Sequence, residues 1–398
     1  MDQKIDFIKQ KSEELITEIT DYRRLIHSNP ELSFEEHKTT AFIKEKLDEA
    51  GIKNISVTET GLVGIIGKEG PCVALRADID ALPIKENTGL EFASINDGVM
   101  HACGHDMHTA MLLGASKILK SIEDEIPGTV KLIFQPGEEK IPGGASIMIE
   151  KGVLEDPAPE VVFGQHINPG AQSGTLSFVS GPAMASADEI YLTIKARGSH
   201  AAQPHIGSDA ILTASTIINH LQTLITKFRN PLQPGVISIT SIHGGSAPNI
   251  YPDEVKLMGT MRAFNQEWRE NLHSLIKQNI AHICDMYNTQ FELEIRKGYP
   301  ALINNENTTA FIKDIAEKAF GSESVEDFEP KMWAEDFAYF AQIVPSTFWF
   351  LGVRPAGRDE MPPLHNSRLD PDEKAMTKGM ALPAIAAYNY LLNKKAQL

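Results

Sequence analysis

Cysteine is scarce in this chain: three residues in 398, Cys72, Cys103 and Cys284. Three thiols are too few for a disulfide framework at this length, and an odd number leaves one free, so a reducing cytoplasm is the expected compartment. Net positive charge is missing as well. Thirty-seven Lys and Arg face 53 Asp and Glu, a formal charge of −16, which argues against the basic footprint of a nucleic-acid binder or of a protein bound to an anionic membrane. Nowhere is there a run of about 18 apolar residues, and the opening Met1-Asp2-Gln3-Lys4-Ile5-Asp6 lacks the apolar segment of a signal peptide, so neither a membrane span nor secretion is expected. Internal repeats and low-complexity segments are also absent. What is present is apolar material, 42% of residues, enough for two or three domains at roughly 150 residues each.

One stretch stands out against this ordinary composition. In His101-Ala102-Cys103-Gly104-His105-Asp106-Met107-His108, six of eight side chains can bind a metal or carry a proton. Thiolate, imidazole and carboxylate are the side-chain types that hold first-row divalent ions. Met107, Met111, Gly114 and Ile118 keep a helical spacing, which puts Cys103 and His105 on the loop entering a helix that starts at Asp106. Two ligands one residue apart converge on one ion from a loop, whereas on a helix they would splay by about 200°. A buried free cysteine beside surface histidines remains the alternative for this stretch taken alone.

Upstream, Ile8, Leu15, Ile19, Tyr22 and Ile26 trace a helix that Asn29-Pro30 stops, and Ile43, Leu47 and Ala50 trace a second that ends at Gly51. Short apolar strands are expected at 62–66 and 73–77, the second running into Asp78-Ile79-Asp80. A strand at 129–134 leads into Gln135-Pro136-Gly137-Glu138-Glu139, and one at 161–164 delivers Gln165-His166. Strand alternating with helix implies an α/β sheet, in which ligands bind off the carboxyl ends of strands. Asp78, Glu138, Glu139 and His166 are therefore expected to share a crevice with the Cys103 loop.

Near residue 188 the pattern changes, with Ile190, Leu192 and Ile194 alternating with Tyr191, Thr193 and Lys195, the mark of a strand with one wet face. From there a β-α-β-β-α-β order can be followed, the split βαβ, ferredoxin-like arrangement. The expected organisation is a main domain over 1–185 and 298–398, interrupted by an insert at 186–297.

Taken in order, several segments resemble the motif series of the M20 metallopeptidase family. They are the run from Leu75 through Arg76, Asp78 and Asp80 to Pro83, the run from His101 to His108, Phe134 to Glu139, Gly164-Gln165-His166, Gly198-Ser199-His200-Ala201-Ala202, Pro248-Asn249 and Leu364-His365. The likeness spans nearly the whole chain. Within the family it is to the aminoacylase and hippurate hydrolase branch that includes plant hydrolases of auxin conjugates. The resemblance implies a zinc-peptidase-like catalytic domain with a mixed, mainly parallel sheet flanked by helices, plus an inserted ferredoxin-like lid and dimerisation domain. It implies two divalent ions, Mn²⁺ or Zn²⁺, with Co²⁺ and Ni²⁺ also suited, held by Cys103, His105, Glu139, His166 and His365. In this branch Cys103 stands where other members carry a bridging aspartate.

The resemblance also implies roles around the ions. Glu138 is the implied general base and acid, and Asp78 the aspartate that orients a ligating imidazole, with Asp80 read as a turn or cap carboxylate. His200 is the implied donor to the oxyanion, often from a partner subunit, and Asn249 and Arg262 the groups that bind the substrate's carboxylate. For Arg262 a plain exposed charge stays open, and Glu335-Asp336-Phe337 reads equally as part of the site or as a helix start. His101 and His108 are expected behind the ligands or in the core. The implied activity is cleavage of the amide of an N-acyl amino acid or similar small conjugate, by a homodimer or higher homo-oligomer with no nucleic-acid or membrane partner. A dipeptidase with the same machinery and a catalytically silent dimeric binding protein are the alternatives.

Overall fold

Strands buried on both faces read as near-continuous apolar runs, and four such strands lie side by side: Thr129–Gln135, Cys72–Asp78, Val161–Gln172 and Ser346–Arg354. All three pairings among them are parallel, so their carboxyl ends open on one side. Antiparallel pairing adds Leu62–Gly67 and Lys53–Ser56 at one edge, while Leu176–Phe178 and Val325–Asp327 complete the other. The result is a mixed, mainly parallel eight-stranded sheet. This computed structural model describes residues 2–397; Met1 and Leu398, the outermost residues of the expected main domain, lie outside them.

The helices His105–Ser121 and Met376–Gln397 pack on this sheet, and Asp2–Ser28 packs against both of them. Ile8, Ile19, Met107, Met111, Ile118, Ile385 and Leu391 are fully buried or nearly so in a single core with Leu75, Phe134 and Phe163. Among the described residues no helix is long and apolar enough to cross a membrane. The helix expected from Asp106 begins at His105, one residue earlier. Gly104 precedes it at φ 87, and a Cβ there would stand 2.2 Å from Ile167 Cδ1. Glycine is required on both counts, and it leaves Cys103 in the loop with His105 on the helix.

The chain divides into two compact units. The first takes residues up to 181, then 303–329 and 336 onward; the second takes 182–302 with 330–335. The expected insert, 186–297, was drawn from where the alternation begins and ends, which marks strands and not the chain that leads into them. No pattern could assign 330–335, because a backbone ladder decides it: Lys331 N–H donates to Ala183 O at 3.0 Å and Ala185 N–H to Lys331 O at 3.1 Å.

The second unit is a four-stranded antiparallel sheet in the order Gly235–His243, Glu254–Ala263, Asp188–Lys195, Gln290–Lys297. The helices Ala210–Thr223 and Gln266–Met286 pack on it through Ala214, Ile217, Leu221, Leu272, Ile276 and Ile280, against Ile190, Leu192 and Ile194.

One buried charge ties this unit together. Asp188, at the start of its strand, accepts hydrogen bonds from Arg269 Nε at 2.8 Å, His273 Nε2 at 2.9 Å and Gly298 N–H at 3.1 Å. Burial would raise its pKa, but Arg269 and His273 outweigh that and hold the carboxyl below its usual range. A depressed carboxyl contributes stability above its unfolded value of roughly 3.9, and this is lost as pH falls through the lower folded value. Asp188→Asn is expected to cost about 3–5 kcal/mol at neutral pH. In urea titrations the gap between wild type and variant should close as pH drops below about 4; a gap that stays constant into acid would assign the loss to packing alone.

Candidate metal centre

The parallel strands deliver their polar residues to one end. Asp78 closes its strand level with Gln135 of the neighbour, after which the chain turns through Pro136, Gly137, Glu138 and Glu139. His166 lies inside Val161–Gln172, paired with Phe350. Cys103 and His105 arrive from the loop and helix start. His365 comes from the loop beyond Ser346–Arg354, where its N–H donates to Ala102 O at 2.7 Å. It sits at φ 62, a conformation a non-glycine residue holds only where its surroundings enforce it.

Two triads result. The ligand atoms of Cys103, His105 and His166 lie within 4.8 Å of one another, and so do those of Cys103, Glu139 and His365. Cys103 belongs to both. Its Sγ is 3.3 Å from His166 Nε2, and His365 Nε2 is 3.1 Å from Glu139 Oε1.

The hydrogen bonds decide which imidazole nitrogens face this space. His105 turns Nδ1 to Asp80, 2.9 Å from its carbonyl and 3.1 Å from Oδ1. Its buried Nε2 makes no hydrogen bond and lies 3.7 Å from Asp78 Oδ2 and 4.0 Å from Glu139 Oε1. His166 donates Nδ1–H to Ile167 O at 2.8 Å, leaving Nε2 for Cys103. His108 differs: Nδ1 meets Asp78 Oδ1 at 2.6 Å and Nε2 accepts the Ile167 N–H at 2.9 Å. Both its nitrogens are engaged, so it packs behind the centre.

The carboxylate behind His105 is therefore that of Asp80, whereas the expected orienting residue, Asp78, holds His108. Sequence could not separate the two. Residues i and i+2 of an extended segment share a face, and only the helix position selects which meets His105.

Arg76, two residues before Asp78, is the buried cation of this face. It spans Asp78 Oδ2 at 2.7 Å, Gln135 Oε1 at 2.8 Å and Asp336 Oδ1 at 2.8 Å. Asp336 also accepts from Gln135 Nε2 at 2.8 Å and from Ala145 N–H at 2.9 Å, and its own N–H is 3.4 Å from Glu138 Oε1. Sequence reasoning left Asp336 undecided and assigned Arg76 no role, although an arginine inside an otherwise apolar strand was a usable signal. Asp106 faces away, taking Arg23 Nε and His27 Nδ1 at 2.7 Å each and binding the first helix to the start of the His105 helix. His101 is buried, and burial pushes its pKa down to about 4, so it is neutral.

Burial, together with Glu139, Glu138 and Asp78, pushes the Cys103 thiol well above its ordinary range. His105 goes the other way: against burial, Asp78, Asp80 and Glu139 push its pKa up to about 10. Both shifts describe a buried pocket short of positive charge, and the bare Nε2 of His105 points into it. These residues fit divalent ions, because a cation there would take the place of the His105 proton and stabilise the thiolate.

In the second unit, His200 is exposed on the short strand Ser199–His200, paired with Ile250–Tyr251. Ala201 N–H donates to Asn249 O at 2.9 Å, so His200 and Asn249 are neighbours. Their loop is anchored by Gly198 N–H to Asp253 Oδ1 at 2.8 Å, beside the start of Glu254–Ala263. Arg262 is half-buried at that strand's far end, roughly 25 Å away along the strand at 3.3 Å per residue. Within the unit, His200 and Asn249 are brought together and Arg262 is not.

Residues 74–388 match the model of peptidase family M20/M25/M40. An N-acetyl-L-cysteine deacetylase of Bacillus subtilis strain 168 is 43% identical over 338 residues, covering 83% of this chain and 79% of that protein. Thermostable carboxypeptidase 1 of Saccharolobus solfataricus is 37% identical over 395 residues, covering 97% and 98%. A solved dinuclear metal binding peptidase of the M20 family from Bacillus subtilis matches with a TM-score of 0.81 at 32% identity, over 96% of this chain and 99% of that one. With this agreement in sequence and fold, and the acid, thiol and imidazole groups gathered at the strand ends, the chain belongs to peptidase family M20/M25/M40 and is a metal-dependent amidohydrolase.

Proposed function

We propose that this chain hydrolyses the amide bond of N-acyl amino acids or similar small conjugates, with one divalent ion among Cys103, His105 and His166 and a second among Cys103, Glu139 and His365. The observation that carries the reading is the pair of triads sharing Cys103, with Glu138 adjacent in sequence to Glu139. When bound, such ions supply Lewis acidity, which makes a water acidic near neutral pH and polarises an acyl carbonyl. Glu138 is buried at 6% exposure, in the turn beside Glu139, and its carboxylate lies within 4.8 Å of the ligand atoms of His105 and Glu139. It takes the water's proton and returns it to the leaving amine. Asp80 holds His105 from behind, fixing the tautomer that leaves Nε2 for the metal.

His200 donates to the oxyanion, a contribution of about 3 kcal/mol to the barrier, and Asn249 and Arg262 bind the substrate's carboxylate. Their separation of roughly 25 Å within one copy supports a homodimer in which the two groups serve a site from different subunits. The edge strand Gly235–His243, with Ile242 exposed, is suited to pair with its own copy. The mixed N, O and S donors suit Mn²⁺ or Zn²⁺, and Co²⁺ or Ni²⁺ as well. Three free thiols support a reducing, cytoplasmic setting. The carboxypeptidase relative favours a second reading, an exopeptidase on dipeptides with the same centre.

A panel of N-acetyl, N-benzoyl and longer N-acyl amino acids, beside dipeptides, separates these readings when chelated enzyme is resupplied with each metal. Release of amino acid from acyl conjugates with slow dipeptide turnover supports the first; faster dipeptide turnover moves the assignment to the second. Glu138→Gln is expected to retain metal and to lose about 10²–10⁴-fold in kcat; wild-type turnover would remove Glu138 as the base. For Asp80→Asn, chelator competition should give metal retention or activity weaker by about 10–100-fold, and an unchanged metal affinity and kcat would sink its role behind His105.

A further inference from the structure

The segment after the first helix runs beside the turn that follows Thr129–Gln135. Glu31 anchors it at both ends. Its carboxylate accepts Lys38 N–H at 3.1 Å and Thr39 N–H at 2.8 Å, while its carbonyl accepts Ala81 N–H at 2.8 Å. Between these anchors, Phe34 and Glu36 meet the turn that carries Glu138 and Glu139, and Ser33 meets the Asp80 carboxylate that holds it.

Ser33 donates its hydroxyl to Asp80 Oδ2 at 2.6 Å, and the same oxygen accepts the Glu139 N–H at 3.0 Å. Glu36 is fully buried, and its Oε1 accepts the Gly137 N–H at 2.8 Å. Phe34 lies at φ 68 with its ring against Gly137, where a Cβ would come within 2.3 Å of Cε1. A left-handed phenylalanine and a buried carboxylate with one oxygen lacking a hydrogen bond are both unfavourable taken alone. Both are spent on the same turn.

The turn needs such a grip because its two acids do different work. Glu138 and Glu139 stand side by side in the turn after Thr129–Gln135 with their carboxylates near His105, so a rotation of the turn would misdirect both together. Two of its N–H groups, those of Gly137 and Glu139, are held by carboxylates from outside it. We propose that Ser33, Phe34 and Glu36 are positioning residues that set the orientation of the Gly137–Glu139 turn toward the Cys103 centre. The proposal rests on the reading of Glu138 as base and Glu139 as ligand. It adds the first-helix connection as the part of the chain that determines how well both perform.

The test uses the full chain with Glu36→Ala, Glu36→Gln and Ser33→Ala. For each, Mn²⁺ affinity is measured by chelator competition, kcat and KM on the N-acyl amino acid that wild type turns over fastest, and the thermal midpoint. Glu36→Ala should lower kcat or Mn²⁺ affinity by about 10–100-fold, the usual effect of removing a group that orients metal ligands, with KM within about twofold because substrate contacts are untouched. Glu36→Gln, whose side-chain oxygen still accepts the Gly137 N–H, should recover to within about threefold of wild type. Wild-type kcat and Mn²⁺ affinity in Glu36→Ala would overturn the proposal, and so would equal losses in the alanine and glutamine variants, which would assign the effect to charge. If Glu36→Ala does not fold, Ser33→Ala decides by the same split of kcat from KM. Should Glu138→Gln prove fully active, the base assignment falls, while the Mn²⁺ affinity of Glu36→Ala still reports the grip on Glu139.

Discussion

Everything in the first unit is arranged around an electrostatic deficit at the carboxyl ends of its parallel strands. Asp78, Asp80, Glu138, Glu139, Asp336 and the Cys103 thiol converge there, all but Glu139 nearly or wholly buried, and the guanidinium within this cluster is that of Arg76. Buried anions on this scale are costly unless paired or bound to metal. Divalent ions are the economical answer, since each supplies two charges at a point where thiolate, carboxylate and imidazole already converge.

The rest of the unit gives that cluster rigid walls. Arg76 and Asp336 join the central strand to a distant part of the chain through fully buried charge-assisted hydrogen bonds, which are stronger and more directional than neutral ones. Arg23, His27 and Asp106 lock the first helix against the helix that begins at His105. Gly104 allows Cys103 and His105 to approach Ile167 and His166 closely. Each of these devices helps to hold the groups of the site in place, and tight placement is what metal-assisted chemistry demands.

Much of this was legible in the sequence, for reasons that can be named. Apolar runs at 73–77 and 129–134 read as buried strands because burial on both faces erases alternation, and the insert's strand at Ile190, Leu192 and Ile194 read as half-wet because one face keeps it. His101 to His108 drew attention because ordinary cores do not concentrate such groups. Other features were out of reach. Ser33, Phe34 and Glu36 drew no reading from the sequence, since nothing local says that they reach Asp80 and a turn a hundred residues away. Residues 330–335 join the second unit through two backbone hydrogen bonds that leave no trace in side-chain pattern.

The choice between Asp78 and Asp80 draws the boundary most sharply. Composition and spacing alone gave the α/β class and the crevice shared by the acid groups at strand ends and the Cys103 loop, because these follow from local periodicity and from the rule that ligands gather at strand carboxyl ends; His365 entered only through the motif resemblance. Tertiary structure alone decided which aspartate stands behind His105, which histidine is sealed by its own hydrogen bonds, and that Cys103 belongs to two triads at once. Periodicity fixes the face a side chain shares but not its partner across the fold, which depends on helix placement and strand register set by the whole core.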